Sequence, residues 1–129
     1  MVSLLAPSSL ALVALGGAAG AVLRHLATLA ALRLFGPPFP WGTLFVNVAG
    51  SLAMGLLAAV MLERGGPSRG TLLLMTGLLG GFTTFSAFSL DALRLAEFGE
   101  PRLAAAYAFA SVALSLGACW AGLLLGRAL

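Results

Sequence analysis

The stretch Gly80-Gly81-Phe82-Thr83-Thr84-Phe85-Ser86-Ala87-Phe88 lies inside an apolar segment that otherwise has the length and composition of a membrane-spanning helix. Adjacent glycines each weaken a helix by roughly 1 kcal/mol relative to alanine. Inside hydrocarbon, a backbone group that leaves the helix must find another partner. The glycine pair alone fits a packing kink equally well. The hydroxyls of Thr83, Thr84 and Ser86 favour a broken helix that lines a path for a polar solute.

Composition places this segment in a membrane protein. The 129 residues are 60% hydrophobic and only 9% charged, with a mean hydropathy of +1.07. A soluble domain carries roughly 25% charged residues and could not hide so much apolar surface. At roughly 20 residues per span, the length allows about four spans and no second domain, so residues 1–129 form one unit. The net charge of +3 comes from seven arginines without lysine, which is typical of anchors flanking spans and not of nucleic-acid binding.

Four apolar segments separated by polar turns predict an all-α membrane protein with four transmembrane helices. The turns are rich in proline and glycine, which end helices. Because the glycine-rich stretch falls within the third segment, that helix is expected to be broken at its centre. The predicted spans are Leu10–Leu34, Trp41–Met61, Gly70–Leu95 and Leu103–Leu125.

The arginines are balanced between the two sides of the membrane. Four spans place both termini on one side, so each side receives three arginines near or beyond the span ends, and the positive-inside rule has little to act on. Either weak charges fix one orientation, or copies insert both ways up and form an antiparallel homodimer. Gly16 and Gly20 suit close helix contact in such an assembly. One side holds Arg64, Arg69 and Arg127, and the other holds Arg33, Arg94 and Arg102.

Polar side chains recur every four residues in three spans and so share one helix face in each. Asn47 is the most costly of them to bury, because an unpaired amide is expensive in lipid. It either bonds a neighbouring helix or donates to a passing solute. Arg24 either faces protein or a vestibule, or extends to the membrane interface. These four-residue repeats, called ladders below, are Gly16, Gly20, Arg24 and Thr28; Thr43, Asn47 and Ser51; and Tyr107, Ser111 and Ser115.

The acidic residues are expected at or beyond helix ends, which leaves no carboxylate for proton-coupled export. The path instead offers hydrogen-bond donors and the rings of Phe85 and Phe88, whose edges are positive. Such groups suit a small, strongly hydrated anion. Catalysis has no support, because His25 has no acidic or cysteine partner at a metal-site or triad spacing. The acidic residues are Glu63, Asp91, Glu97 and Glu100.

The chain resembles the bacterial fluoride channels, the Fluc or CrcB family. The resemblance touches all four spans, in family order and spacing, and its third-span motif is highly specific. It rests on Gly20-Ala21-Val22-Leu23-Arg24, Gly42-Thr43-Leu44-Phe45-Val46-Asn47, Gly80–Phe88, and the ladder Tyr107, Ser111 and Ser115.

The resemblance implies an antiparallel, dual-topology homodimer with two fluoride pores in the inner cell membrane. It implies that Arg24 lies in a vestibule and that backbone carbonyls of Gly80 and Thr83 bind a structural Na⁺ at the dimer centre. The expected function is passive export of toxic cytoplasmic fluoride without an organic cofactor. The alternative is a small dual-topology exporter or an assembly subunit without a pore. The expected pore residues are Thr43, Asn47, Thr84, Phe85, Ser86, Phe88, Tyr107, Ser111 and Ser115.

Overall fold

A computed structural model describes residues 3–129, and this part of the chain is all-helical. It contains four helical segments long and apolar enough to cross a membrane, which confirms the predicted number of spans. The first and fourth helices begin earlier than predicted, at Pro7 and Pro101. Proline suits a first helical turn because its missing N–H would have no partner there. The four spans are Pro7–Phe35, Trp41–Glu63, Arg69–Glu97 and Pro101–Ala128.

Two spans contain π-helical turns that the sequence analysis did not predict. The second span is α-helical over Trp41–Leu57 and π-helical over Ala58–Glu63. The third span begins with α-helical Arg69–Thr71, whose start is fixed by a reciprocal capping box with Ser68. It continues as a π-helix over Leu72–Leu79 and a short α-helical turn over Gly80–Phe82. Apolar periodicity does not distinguish these local windings, so the sequence pattern carried no signal for them.

The third span leaves helical geometry after Phe82. Thr83 is extended, with φ −84° and ψ 157°, and helical structure resumes over Ser86–Glu97. The segment 69–82 is called the N-terminal arm below, Ser86–Glu97 the C-terminal arm, and residues 83–85 the break. The last backbone bond of the N-terminal arm joins the Thr83 N–H to the Leu79 carbonyl at 3.0 Å. Backbone groups on both sides of the break therefore lose their helical partners.

Glycines bring the first span against the N-terminal arm of the third. A Cβ atom on Gly16 would overlap the Leu73 carbonyl, and one on Gly20 would overlap the Leu78 carbonyl. The predicted G-x-x-x-G face therefore makes a close helix contact within one protomer. The second and fourth spans pair in the same way through Gly55 and Gly122. Small residues suit this packing because in lipid van der Waals contact replaces the hydrophobic effect between helices.

The outer surface of the bundle is apolar. Large side chains such as Leu15, Phe109 and Trp120 are 67%, 77% and 66% exposed, whereas Val46 and Tyr107 are fully buried. A water-soluble protein rarely exposes so continuous an apolar surface, but lipid solvates it well. Together with the four long apolar helices, this surface identifies a multi-pass membrane protein.

Candidate functional site

Asn47 holds the break in place. Its Nδ2 donates to the Thr84 carbonyl at 2.8 Å, and its Oδ1 accepts from the Thr84 N–H at 2.7 Å. The side-chain amide thereby replaces two backbone partners that the break removed. Gly50, one turn later on the second span, leaves room for the methyl group of Thr83. Of the two alternatives for Asn47, the bond to a neighbouring segment is present, and one Nδ2 proton remains for a second acceptor.

Arg24 forms a hydrogen bond with a second carbonyl next to the break. Its Nε donates to the Gly81 carbonyl at 3.1 Å, and the residue is half-buried. In an unbroken helix that carbonyl would accept from the N–H of residue 85. The guanidinium therefore faces protein here. It also lines a cavity of about 370 Å³, called the side cavity below, together with His25, Thr43 and Asp91.

A large cavity lies beside the break and is lined by the second, third and fourth spans. It measures about 520 Å³ and is called the main cavity below. Phe85 stands at its outer edge with 76% of its surface exposed. The Phe85 and Phe88 ring centroids are 5.3 Å apart, with the planes inclined by 57°. Six of the nine predicted pore residues line this cavity: Asn47, Thr84, Phe85, Phe88, Ser111 and Ser115.

The other three predicted pore residues lie off the wall of the main cavity. Thr43 lines the side cavity instead. Ser86 is exposed, and its Oγ is 3.3 Å from that of Thr84. Tyr107 is fully buried, with its ring centroid 5.5 Å from that of Phe88. The expected polar track is therefore divided between two cavities within one protomer.

The site prediction missed three residues on the wall of the main cavity. Ser51 follows Asn47 by one helical turn, so the second-span ladder already contained its signal. Val112 and Leu116 each follow a serine of the fourth-span ladder. Periodicity of polar residues cannot find such apolar positions. The wall therefore combines few polar groups with apolar sides, as ligand sites usually do.

Two hydroxyls on this wall have no hydrogen-bond partner among the described residues. They are the Oγ atoms of Ser111 and Ser115, both buried. Buried polar atoms are nearly always paired, and an unpaired one costs about 1–3 kcal/mol. The hydrogen-bonding capacity of both hydroxyls is therefore unused among residues 3–129.

Asp91 corrects the expectation that the acidic residues lie at or beyond helix ends. It lies inside the C-terminal arm, which continues to Glu97. Its Oδ2 accepts from Thr43 Oγ1 at 2.7 Å and from the Tyr107 hydroxyl at 3.4 Å. Hydroxyls from the second and fourth spans thus offset the cost of placing a carboxylate within the bundle. Sequence spacing could not reveal these partners, because they come from other helices.

Backbone carbonyls at the break offer oxygen ligands for a cation. Among residues 3–129, no donor bonds the carbonyl oxygens of Gly80 and Thr83. Both residues also line the main cavity. No group of three His, Cys, Asp or Glu side chains in the described chain could hold a metal ion. Unpaired carbonyls are the kind of ligand that hard cations prefer, so these two residues fit the expected sodium site.

Comparison with known proteins gives a consistent result. A family model described as CrcB-like protein, Camphor Resistance (CrcB), matches residues 11–123. A protein of Cereibacter sphaeroides named Fluoride-specific ion channel FluC is 57% identical over 116 residues, covering 90% of this chain and 92% of that protein. Proteins with the same name from Mesorhizobium japonicum and Agrobacterium fabrum are 50% and 52% identical, covering 94% and 92% of this chain and 98% and 96% of theirs.

Proposed function

Because this chain belongs to the CrcB-like family, we infer that it is a fluoride-specific ion channel. One observation carries the inference: at least half of the residues are identical to those of fluoride-specific channels along nearly the whole chain. The main cavity supports it, because its wall offers hydroxyl and amide donors and phenyl rings without a charged side chain among the described residues. Such a wall can replace the water of a small anion without holding it too tightly.

We propose that fluoride passes through the main cavity between Phe85 and the fourth-span serines. Asn47 supplies its remaining Nδ2 proton, and Ser111 and Ser115 supply hydroxyls that have no other partner in the described chain. The edges of the Phe85 and Phe88 rings carry partial positive charge and complete the shell. Thr84 and Ser86 extend the polar surface at the break, where their hydroxyl oxygens are 3.3 Å apart.

The side cavity is proposed as the vestibule that connects this path to water. Arg24 would attract anions there, while its Nε keeps the Gly81 carbonyl paired. Thr43 lines the side cavity, the Tyr107 ring packs against that of Phe88, and the hydroxyls of both residues donate to Asp91. A fluoride ion passing this point would compete with the carboxylate for the two hydroxyl protons.

We further propose that two protomers assemble antiparallel, with the break of each third span near mid-membrane. Two features support this arrangement. The arginines are balanced between the two faces, as dual insertion requires. Phe85 is also 76% exposed at the edge of a cavity containing unpaired hydroxyls, which lipid could not satisfy. A second copy would close each cavity and give two paths per dimer in the inner cell membrane, through which accumulated fluoride leaves the cytoplasm.

Gly80 and Thr83 are proposed to hold a sodium ion at the dimer centre. The support is their pair of carbonyl oxygens without a donor in the described chain. When bound, the ion would supply a positive charge that favours anions nearby. The chain itself fixes these carbonyls, because Asn47 and Arg24 occupy the neighbouring ones of Thr84 and Gly81.

Flux into and out of liposomes tests the function. Purified protein in potassium-fluoride-loaded vesicles should release fluoride rapidly once valinomycin removes the electrical barrier, and should not release chloride. Asp91 inside a span is the one observation that favours a proton-coupled exporter, so the assay is repeated with an imposed pH gradient. Fluoride release independent of the gradient supports a passive channel. Release that requires the gradient would favour the exporter, and no fluoride release at all would overturn both.

A further inference from the structure

Phe39 lies in the turn 36–40, which connects the first two spans, and it points a ring into the bundle. Pro38 and Pro40 flank it in the sequence. Proline fixes its own φ and also restricts the residue before it, so the backbone of Phe39 has little freedom. The Phe39 carbonyl accepts from the Trp41 N–H at 2.9 Å, which ties the turn to the start of the second span. The backbone therefore holds the Phe39 ring at a defined place.

The Phe39 ring contacts two other aromatic side chains. Its centroid is 4.5 Å from that of Trp41, with the planes inclined by 50°, and 5.5 Å from that of Tyr107, with the planes inclined by 87°. The second contact has the edge-to-face geometry that aromatic pairs prefer. Phe39 is half-buried and packs against the buried cluster that contains Tyr107. Since Tyr107 also contacts Phe88, ring contacts run without a gap from the turn to the main cavity.

Tyr107 depends on these ring contacts because its hydroxyl is held loosely. The hydroxyl oxygen is 3.4 Å from Asp91 Oδ2, whereas an ordinary O–H···O bond is at most about 3.0 Å long. A bond of that length does not by itself fix the rotation of a ring. The neighbouring rings therefore decide where the Tyr107 hydroxyl points.

We propose that Phe39 is a positioning residue for fluoride passage and acts by fixing the orientation of Tyr107. This inference rests on the proposed fluoride function, in which the ion moves between the side cavity and the main cavity. Tyr107 touches a wall residue of each: its hydroxyl donates to Asp91 of the side cavity, and its ring packs against Phe88 of the main cavity. Phe39 lines neither cavity, so its effect on flux is indirect.

Replacing Phe39 with leucine removes the ring and keeps an apolar side chain. Phe39→Trp is the conservative variant, because it keeps an aromatic ring and the turn borders a cavity of about 350 Å³ with room for the larger indole. Phe35→Leu is the matched control. The Phe35 ring also contacts Trp41, at 5.7 Å between centroids, but it makes no ring contact with Tyr107 in the described chain.

Two measurements distinguish positioning from a purely structural role. The first is fluoride release from liposomes at fluoride concentrations below saturation, with assembly checked by gel filtration. The second uses the fact that Tyr107 is the only tyrosine of the chain. Tyrosine labelled with carbon-13 at Cζ therefore reports on this residue alone, and its NMR frequency follows the hydrogen bond of the attached hydroxyl. Asp91→Leu lacks the acceptor and keeps every ring, so it defines the frequency of the unbonded hydroxyl.

Phe39→Leu should lower fluoride release roughly fivefold and move the Tyr107 signal toward that of Asp91→Leu, because the aromatic contact is lost. Phe39→Trp should restore both readouts, and Phe35→Leu should leave both near the wild-type values. If Phe39→Leu does not assemble, Phe39→Met replaces it, since its flexible side chain fills the space without a ring.

Three results would overturn the positioning role: unchanged release in Phe39→Leu, a fall in release without movement of the Tyr107 signal, or equal falls in Phe39→Leu and Phe35→Leu. Each leaves the proposed function standing as long as the wild-type protein releases fluoride. Absence of release by the wild-type protein would overturn the proposed function and this inference with it.

Discussion

Replacing Asn47 with alanine should destabilise the conformation of the break and strongly reduce fluoride flux. Alanine removes the two hydrogen bonds to Thr84, which measure 2.8 and 2.7 Å. The Thr84 N–H and C=O are then left unpaired, and each unpaired buried group costs about 1–3 kcal/mol. Polar side-chain bonds in membrane proteins reach at most about 1.7 kcal/mol, so a value of about 1.4 kcal/mol per group is appropriate. If this sum of about 2.8 kcal/mol falls on the conducting conformation alone, that conformation becomes about a hundredfold less populated, and flux falls by the same factor.

The assay is fluoride release from liposomes, combined with a measurement of unfolding in detergent. Ser51→Ala is the matched control, because Ser51 lines the same cavity one turn further along the second span. We expect the control to keep most of its flux and stability. Asn47→Asp should also fail, because its second oxygen would face the Thr84 carbonyl and its charge would repel fluoride. A folded Asn47→Ala protein with wild-type flux would refute the view that this amide shapes the path.

Three further predictions concern the ring edges, the glycine contact and the half-buried Asp91. Phe85→Ile should reduce fluoride flux by roughly tenfold with a stability change within about 0.5 kcal/mol, whereas Phe109→Ile, at an equally exposed ring, should leave flux intact. Gly20→Ala should lower the free energy of unfolding by about 1–3 kcal/mol, because the new Cβ atom would overlap the Leu78 backbone; thermal unfolding measures this change. Gly117→Ala is the control, because a Cβ atom there meets open space and stability should not change. Asp91→Leu should lower the free energy of unfolding by about 1–3 kcal/mol, because it removes the acceptor of two hydroxyls. Asp91→Asn keeps an acceptor oxygen and should recover most of that stability. Equal losses of stability in the two variants would show that the charge, and not the acceptor, matters.

The spans were predictable because lipid imposes a simple rule on the sequence. Each span must be long and apolar, so composition and turn residues located four helices to within a few residues. The ends differed where local chemistry decided them, as at Pro7 and Pro101. The π-helical turns remained unpredicted, since they change the local winding without changing which residues are apolar.

The candidate site was predictable where one helix face carries the signal. The polar ladders contained Asn47, Ser111 and Ser115, and the third-span motif contained Phe85, all of which line one cavity. Their roles in conduction stay predictions, as do the dimer and the sodium ion. The sequence analysis placed Asp91 at or beyond a helix end, and it could not predict the carboxylate's partners because they lie on two other helices.

The order of residues along the chain is enough to predict that this protein spans a membrane, where its four helices lie and which family it resembles, because hydrophobicity and helical spacing are properties of neighbouring residues. The packing of the helices settles which atoms satisfy the interrupted backbone. Asn47 and Arg24 reach the break from the second and first spans, whereas the N–H groups of Phe85 and Phe88 have no acceptor among residues 3–129. Such pairings depend on how helices pack, and spacing along a single helix does not contain that information.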